Sequence, residues 1–418
     1  MVNRSLLTNG IRIITQNIPH AYSVSVGFWV VGGSRYERPE YNGVSHFIEH
    51  LLFKGTERRS SFEIARETDS IGGFMNAFTG REFVCYYAKV LVDFLPKAVD
   101  LLADIFLNSR FPEEEIENER KVILQEIRML EDAPDDQLHD LFQRNFWDGH
   151  PLGMPIIGTT ESVQGISRDF LVDYKNDTYR AGDIIITAAG KVDHHALVEM
   201  LAPLLTGVPV GSSRPVCAPP LHSKRCCKSD RDLEQLLFCL GTKGFAQNHP
   251  GRHDALVLNT ILGGSMSSRL FQEVREKEGL AYSVYSYLSS HSDTGAMVIS
   301  AGTTAEKFPQ VMDIVLRELK RLKSVPPTEE ELSAAREQLK GNILLSLESS
   351  DSVMSKLAKN EIYLGGYQPV EQVLAGFSAV TRDSLLDLCN ELFDEDYFTL
   401  QLLGRMSEIS FEVDQISL

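Results

Sequence analysis

Apolar positions follow two periods along this chain, and the change from one to the other marks its elements. From Ser23 to Val31 they alternate, with Val24, Val26, Phe28 and Val30 on one face, the period of a strand with a buried side. At Val44 the spacing becomes i, i+3, i+4, i+7, i+8. Val44, Phe47, Ile48, Leu51 and Leu52 then form one stripe of an amphipathic helix. Gly55 follows where a capping glycine is expected. Upstream, Asn9-Gly10 predicts a turn between two short strands. Downstream, the pattern predicts a helix near Ser61–Ile71 and a single strand near Asn76–Val90. A long helix opens at Pro112 and runs through Ile127.

The same order recurs in the second half. Leu236–Leu240 reads as strand, and Ala255–Leu262 as a helix ending in Gly263-Gly264. Ser268–Glu278 reads as a helix feeding the strand Tyr282–Leu288, and Thr328 with Glu331 forms a capping box ahead of another long helix. Between the copies, residues 207–227 are dense in Pro, Gly and Ser and lack periodicity, which predicts a linker. The expected fold class is α/β of the α+β type. It has two homologous domains, 1–206 and 228–418, each a mostly antiparallel sheet packed with helices. A chain of 418 residues can bury two such cores.

Charge and composition narrow the partners. The formal net charge is −17, which argues against nucleic acid or an anionic membrane, since phosphate binding needs clustered Lys and Arg. No apolar run reaches bilayer-spanning length. Met-Val-Asn-Arg-Ser-Leu-Leu carries no signal-peptide pattern, so a cytoplasmic location is expected. None of the six cysteines forms C-x-x-C, and free thiols are expected. Cys85 and Cys239 sit in apolar strand-like runs and read as buried small hydrophobes, whereas Cys226-Cys227 has no evident role.

The helix at Val44 carries the candidate chemistry. His46-Phe-Ile-Glu49-His50 places two imidazoles at i and i+4, on one helix face beside the apolar stripe, with Glu49 on the flank. This H-x-x-E-H order is the inverted form of the zinc-protease helix. A catalytic zinc takes three protein ligands, and the long helix offers Glu119 and Glu126, two turns apart on one face. Spacing alone leaves an ordinary acidic surface stripe equally open. The repeat adds a distinction. Ala255 falls near the place of His46, Asn259 near that of His50, and Asn342 near that of Glu126. The second copy has the frame without the ligands, so one metal site per chain is expected.

His46-x-x-Glu49-His50 followed by Glu126 in an E-x6-E helix resembles the pitrilysin/insulinase family of inverted zinc metallopeptidases, in its mitochondrial-processing-peptidase-like branch. The likeness continues through Asn76-Ala77-Phe78-Thr79, Glu131-Asp-Ala-Pro-Asp-Asp136 and His150-Pro-Leu-Gly-Met-Pro-Ile-Ile-Gly158. It resumes in Leu262-Gly-Gly-Ser-Met-Ser-Ser-Arg-Leu-Phe271 and Val274-Arg-Glu-Lys-Glu-Gly-Leu-Ala-Tyr282. The resemblance implies one zinc ion per chain on His46, His50 and Glu126, with Glu49 as general base and Glu119 orienting a ligand or water from behind. It implies that substrate backbone adds to the edge strand at Asn76 and Ala77, and that Asp136 and Asp140 recognise an arginine near the scissile bond. Arg275 and Tyr282, from the C-terminal domain, would hold the substrate carbonyl and its developing oxyanion. Gly263 and Gly264 would form a loop touching substrate, although a plain helix-ending turn explains them equally well. In this family the Arg/Tyr pair closes over the zinc of the opposite half-molecule. The resemblance therefore implies a homodimer with a shared active site, cleaving peptides or unfolded segments within its chamber. The alternatives are a catalytically inactive scaffold or core-type relative and a peptide-binding module.

Overall fold

The computed structural model describes residues 2–212 and 217–418. The chain divides into two compact units. Unit 1 comprises Met1–Met129, Met154–Cys217 and Leu345–Tyr367, and unit 2 comprises Leu130–Gly153, Ala218–Leu344 and Gln368–Leu418.

Unit 1 is built on a six-stranded sheet of order β1-β2-β6-β3-β5-β4. Its strands are β1 (Val2–Leu6), β2 (Arg12–Asn17), β3 (Ser23–Val31), β4 (Phe74–Thr79), β5 (Phe83–Leu91) and β6 (Ile184–Gly190). All neighbours are antiparallel except β2 and β6, which run parallel. The Asn9-Gly10 turn and the alternating Ser23–Val31 strand are as the pattern predicts. The single strand expected over Asn76–Val90 is instead a hairpin. Gly80 and Phe83 close its turn, with the Gly80 N–H donating to the Phe83 carbonyl at 2.8 Å. β-forming residues flank the short Gly80-Arg81-Glu82 turn on both sides, which is why periodicity alone runs the two strands together.

One face of this sheet carries the helices α1 (Val44–Leu51), α2 (Ser61–Ser70) and α3 (Leu95–Asn108), with the long α4 (Glu113–Asp132) beside them. The α1 stripe of Val44, Phe47, Ile48, Leu51 and Leu52 is fully buried there, so this short helix is held by packing rather than by its own propensity. Gly55 is not its cap: the helix ends at Leu51, and Gly55 bridges to Ser60 with φ +122. The chain beyond α1 is pinned by Asp104, whose buried carboxylate accepts from Thr56 Oγ1 (2.8 Å), Arg58 Nε (3.0 Å) and Arg59 Nη1 (2.7 Å). The other face is covered by a helix from far along the chain, Ser350–Leu364. It sets Val353, Met354, Leu357 and Ala358 against Trp29, Cys85 and Ile185.

Unit 2 repeats the design on a five-stranded sheet of order β7-β11-β8-β10-β9. Its strands are β7 (Arg225–Asp230), β8 (Leu236–Gly244), β9 (Ser283–Ser290), β10 (Gly295–Thr303) and β11 (Thr399–Gly404), with only the β7–β11 pair parallel. Here the covering helix comes from the first half of the chain. It is α5 (Pro134–Phe146), whose Leu138, Phe142 and Phe146 pack on Leu237, Cys239 and Val298. The two sequence halves thus each lend a helix to the other's sheet, and the compact units are discontinuous in sequence. The predicted linker also ends early, because β7 takes up Arg225, Cys226 and Cys227. Its residues 213–216 lie outside the described part of the chain. The capping box of Thr328 and Glu331 forms as expected, with backbone N–H to side-chain distances of 2.7 and 3.2 Å.

Candidate metal centre

Helix α1 brings His46 and His50 together, their ring centroids 4.6 Å apart. Helix α4 supplies Glu126 opposite them. Its Oε2 lies 4.0 Å from His46 Nε2 and 3.7 Å from His50 Nε2. Each of the three residues offers a ligand atom within 4.8 Å of the others, and no other such group occurs among the described residues. Metal–ligand bonds of about 2.0–2.2 Å correspond to ligand separations of roughly 3.4 Å, so small side-chain rotations would close the set around one ion. Two imidazoles and a carboxylate suit zinc. Burial, helped by the neighbouring His50, pushes His46 down to about 4, which leaves the neutral imidazole that a metal requires. Nδ1 of His46 is buried without a hydrogen-bond partner.

Glu119 stands behind the site. It is nearly buried, its Oε2 lies 2.9 Å from His50 Nδ1, and its Oε1 lies 2.6 Å from Lys54 Nζ. A carboxylate on Nδ1 holds the proton there and turns the Nε2 lone pair toward Glu126. Lys54 lies beyond the end of α1 at Leu51, and sequence reasoning missed it because no helix spacing points from it to Glu119. Helix α4 is fixed against α1 next to this point. The Arg120 guanidinium stacks over Phe47 at 5.2 Å and donates to the carbonyls of Val163 and Ile166.

Glu49 flanks the pair and accepts a 2.5 Å hydrogen bond from Thr79 Oγ1, at the end of β4. Burial pushes its carboxyl above the ordinary 4.5. Thr79 and His50 oppose that rise, and the Glu126 charge adds to it. Strand β4 is a sheet edge. Asn76 is exposed on it, with its Oδ1 accepting from the Ala77 N–H at 2.8 Å, and Ala77 is half-buried. The link from Thr79 to Glu49 therefore joins the edge strand to the helix that carries the histidines.

A second residue outside the sequence reading anchors that helix. Gly43 precedes α1 in the left-handed region, and no side chain caps the helix from that position. Instead Glu37, 4% exposed, accepts from Gly43 N–H (2.7 Å), Ser45 N–H (2.9 Å) and Asn42 Nδ2 (3.0 Å). It satisfies orphan donors at the helix start from across an intervening turn, Pro39–Tyr41. Its separation in sequence hides it from any local capping pattern.

The remaining predicted residues belong to unit 2. Arg275 lies in a π-helical turn, Phe271–Lys277, and its guanidinium sits 5.0 Å from the ring centre of Tyr282, which is 81% exposed. Arg275 also lies 4.7 Å from the Phe271 ring. The two are thus brought together as a cation–π pair on the surface. Asp136 is exposed and Asp140 half-buried on α5, beside His139, which hydrogen-bonds Tyr285 and Tyr287. Gly263 ends the Arg252–Leu262 helix against β9. A Cβ there would stand 2.5 Å from the Ser286 backbone nitrogen, so close packing accounts for that glycine, while Gly264 is exposed. Ala255 and Asn259 occupy the corresponding helix of unit 2, where no ligand cluster forms among the described residues.

The fold and this histidine–glutamate centre define an inverted-zincin frame, and comparison with known proteins gives it a family. Residues 12–160 match the family model described as "Insulinase (Peptidase family M16)", and residues 165–339 match "Peptidase M16 inactive domain". The chain is 42% identical to an uncharacterized zinc protease of Bacillus subtilis over 95% of its own length and 97% of that protein's. It is 40% identical to an uncharacterized zinc protease of Mycobacterium tuberculosis over 94% and 91%. Among solved structures, a protease from Helicobacter pylori superposes with a TM-score of 0.89 at 22% identity, covering 97% of this chain and 99% of that one. The chain belongs to the insulinase family, peptidase family M16.

Proposed function

We propose that this chain is a zinc-dependent endopeptidase acting on peptides or unfolded segments. The observation that carries the reading is the meeting of His46, His50 and Glu126 ligand atoms within 4.8 Å, with Glu49 alongside. His46, His50 and Glu126 would hold one zinc ion per chain. Zinc in such a site supplies a Lewis acid and brings the pKa of a water to about 7. Glu49 takes the proton of the attacking water and returns it to the departing amine. Glu119, tied to Lys54, holds His50 in the ligand tautomer. The open edge of β4 at Asn76 and Ala77 receives substrate backbone as an added strand, a mode that tolerates varied sequences. Asp136 and Asp140 would favour an arginine of the substrate, and the exposed Gly264 a close approach of backbone.

Arg275 and Tyr282 are assigned to the carbonyl of the scissile bond. Tyr282 is too exposed for packing to explain it, and the guanidinium stacked on its ring keeps the pair aligned. We place this pair over the metal centre of a second copy, which makes the working form a cytoplasmic homodimer with shared sites.

Glu49→Gln decides the catalytic part. Zinc should stay at one per chain by elemental analysis while cleavage of a peptide library is abolished, and an active variant would remove Glu49 as the base. A protein without bound zinc and indifferent to chelators would point to the scaffold reading. Sharing is tested by mixing Glu49→Gln with Tyr282→Phe chains. Activity should return in proportion to the heterodimers formed, and no gain over either variant would overturn the arrangement.

A further inference from the structure

Unit 1 holds a charged side chain for which the peptidase reading has no task. Lys175, in the Arg168–Thr178 helix, is only 9% exposed. Its Nζ donates to the Leu107 carbonyl at 3.3 Å, in the last turn of α3. The rings of Phe111 and Tyr179 stand 5.9 and 6.0 Å away. Burial pushes the amine down to about 8, and no acidic group acts against that shift. A lysine that served only to cap α3 would satisfy one carbonyl and leave its other donors to water. Here the ammonium is buried with a single long hydrogen bond, an arrangement that costs free energy unless something further neutralises it.

Lys175 lines a cavity of about 380 Å³ together with Phe106, Asn108, Tyr179, Leu204 and Val208. That volume falls within the range of small-molecule sites. Most of the side chains lining it are apolar or aromatic, Lys175 is the one charged side chain among them, and Asn108 and Asn176 add carboxamides. A phosphate dianion would call for several converging donors or a planar guanidinium fork. One ammonium among mostly apolar side chains matches one negative charge on an apolar body. We propose that this cavity binds a small organic carboxylate with an apolar tail, its carboxylate on the Lys175 ammonium and its tail along Phe106, Leu204 and Val208. The site is separate from the histidine–glutamate centre, and its occupancy does not depend on whether the chain is a peptidase.

The test is calorimetric titration of the full-length protein with octanoate and, as an uncharged counterpart, 1-octanol. Octanoate should bind saturably at one per chain. 1-Octanol should bind roughly tenfold or more weakly, the factor expected for one charge-assisted hydrogen bond. Lys175→Met keeps the aliphatic stem and should reduce octanoate affinity by a similar factor. Leu204→Trp, at a position that is 39% exposed, leaves the charge in place and should block the mouth. No saturable octanoate binding, equal binding of the alcohol, or undiminished binding to Lys175→Met would overturn the proposal. Should Lys175→Met not fold, Leu204→Trp decides: unchanged octanoate binding to it places the ligand elsewhere.

Discussion

Replacing Glu37 with Gln tests whether a carboxylate outside the histidine–glutamate cluster sets the position of His46. In the native arrangement one carboxylate oxygen accepts from Gly43 N–H and Asn42 Nδ2, and the other from Ser45 N–H. A carboxamide can keep the first pair, but it turns an NH2 group toward the Ser45 N–H, where neither can accept. The loss is one hydrogen bond to a charged group, about 1.5–3 kcal/mol, plus a buried donor left facing a donor. Against this stands the relief of a buried charge, since burial holds the Glu37 carboxyl above its ordinary range. The balance is a destabilisation of about 2 kcal/mol, or roughly 4–8 °C in Tm for a unit of this size. His46 is the third residue of α1, so fraying of that first turn moves a proposed ligand. Zinc affinity, measured by competition with a chromogenic chelator, should fall by about 10- to 100-fold, as for loss of a group supporting a ligand from behind. If Tm drops while zinc affinity holds, the carboxylate stabilises the fold without positioning His46. If neither changes, Glu37 is not the cap.

Gly43→Ala should destabilise by roughly 2–3 kcal/mol, because φ is +94 and a Cβ would stand 2.7 Å from the Ile157 carbonyl oxygen; an unchanged urea midpoint would refute this. Burial raises the Asp104 carboxyl, but Asn108, Arg59, Thr56 and Arg58 outweigh it and hold the group below its ordinary 3.8. A depressed carboxyl contributes stability above its unfolded value and loses it as pH falls through the folded one. Asp104→Asn should therefore lower the urea midpoint at pH 7, and the gap to the native protein should close in acid; a gap that widens in acid would contradict the assignment. Stripping metal with 1,10-phenanthroline should lower Tm, and zinc at 100 times its Kd should restore about 2.7 kcal/mol; a Tm indifferent to both would sink the ligand set. Tyr282→Phe should leave Tm within about 1 °C, since the ring is exposed, while kcat falls on the order of 100-fold; full activity would release Tyr282 from the oxyanion role.

Much of the architecture could be read from periodicity, and the places where it could not have physical causes. The α1 stripe is unambiguous because one side of that helix is wholly buried while the other carries the polar His46, Glu49 and His50. Periodicity does not separate the two strands of the β4–β5 hairpin, because β-forming residues run on both sides of its turn. The meeting of His46 and His50 follows from i+4 geometry, and the meeting with Glu126 followed only from family resemblance, since no local rule says which helix faces which. Lys54 and Thr79 act on Glu119 and Glu49 through contacts between separate elements. Glu37 is the clearest case. A capping residue is sought next to its helix, and this one reaches past Pro39–Tyr41 from a position with no helical pattern.

The exchange of covering helices sets an order of events during synthesis. The unit that carries His46, His50 and Glu126 has all its strands once Gly190 has emerged from the ribosome. Yet the sheet face formed by Trp29, Cys85 and Ile185 stays bare until Ser350–Leu364 is made. The α5 helix, made early, waits with Leu138 and Phe142 uncovered for strands β8, β10 and β11. Neither unit can close before most of the chain exists. A nascent chain of this protein should thus remain a client of hydrophobe-binding chaperones long after His46, His50 and Glu126 have been translated, and a chain cut at the linker should yield two insoluble fragments rather than two domains.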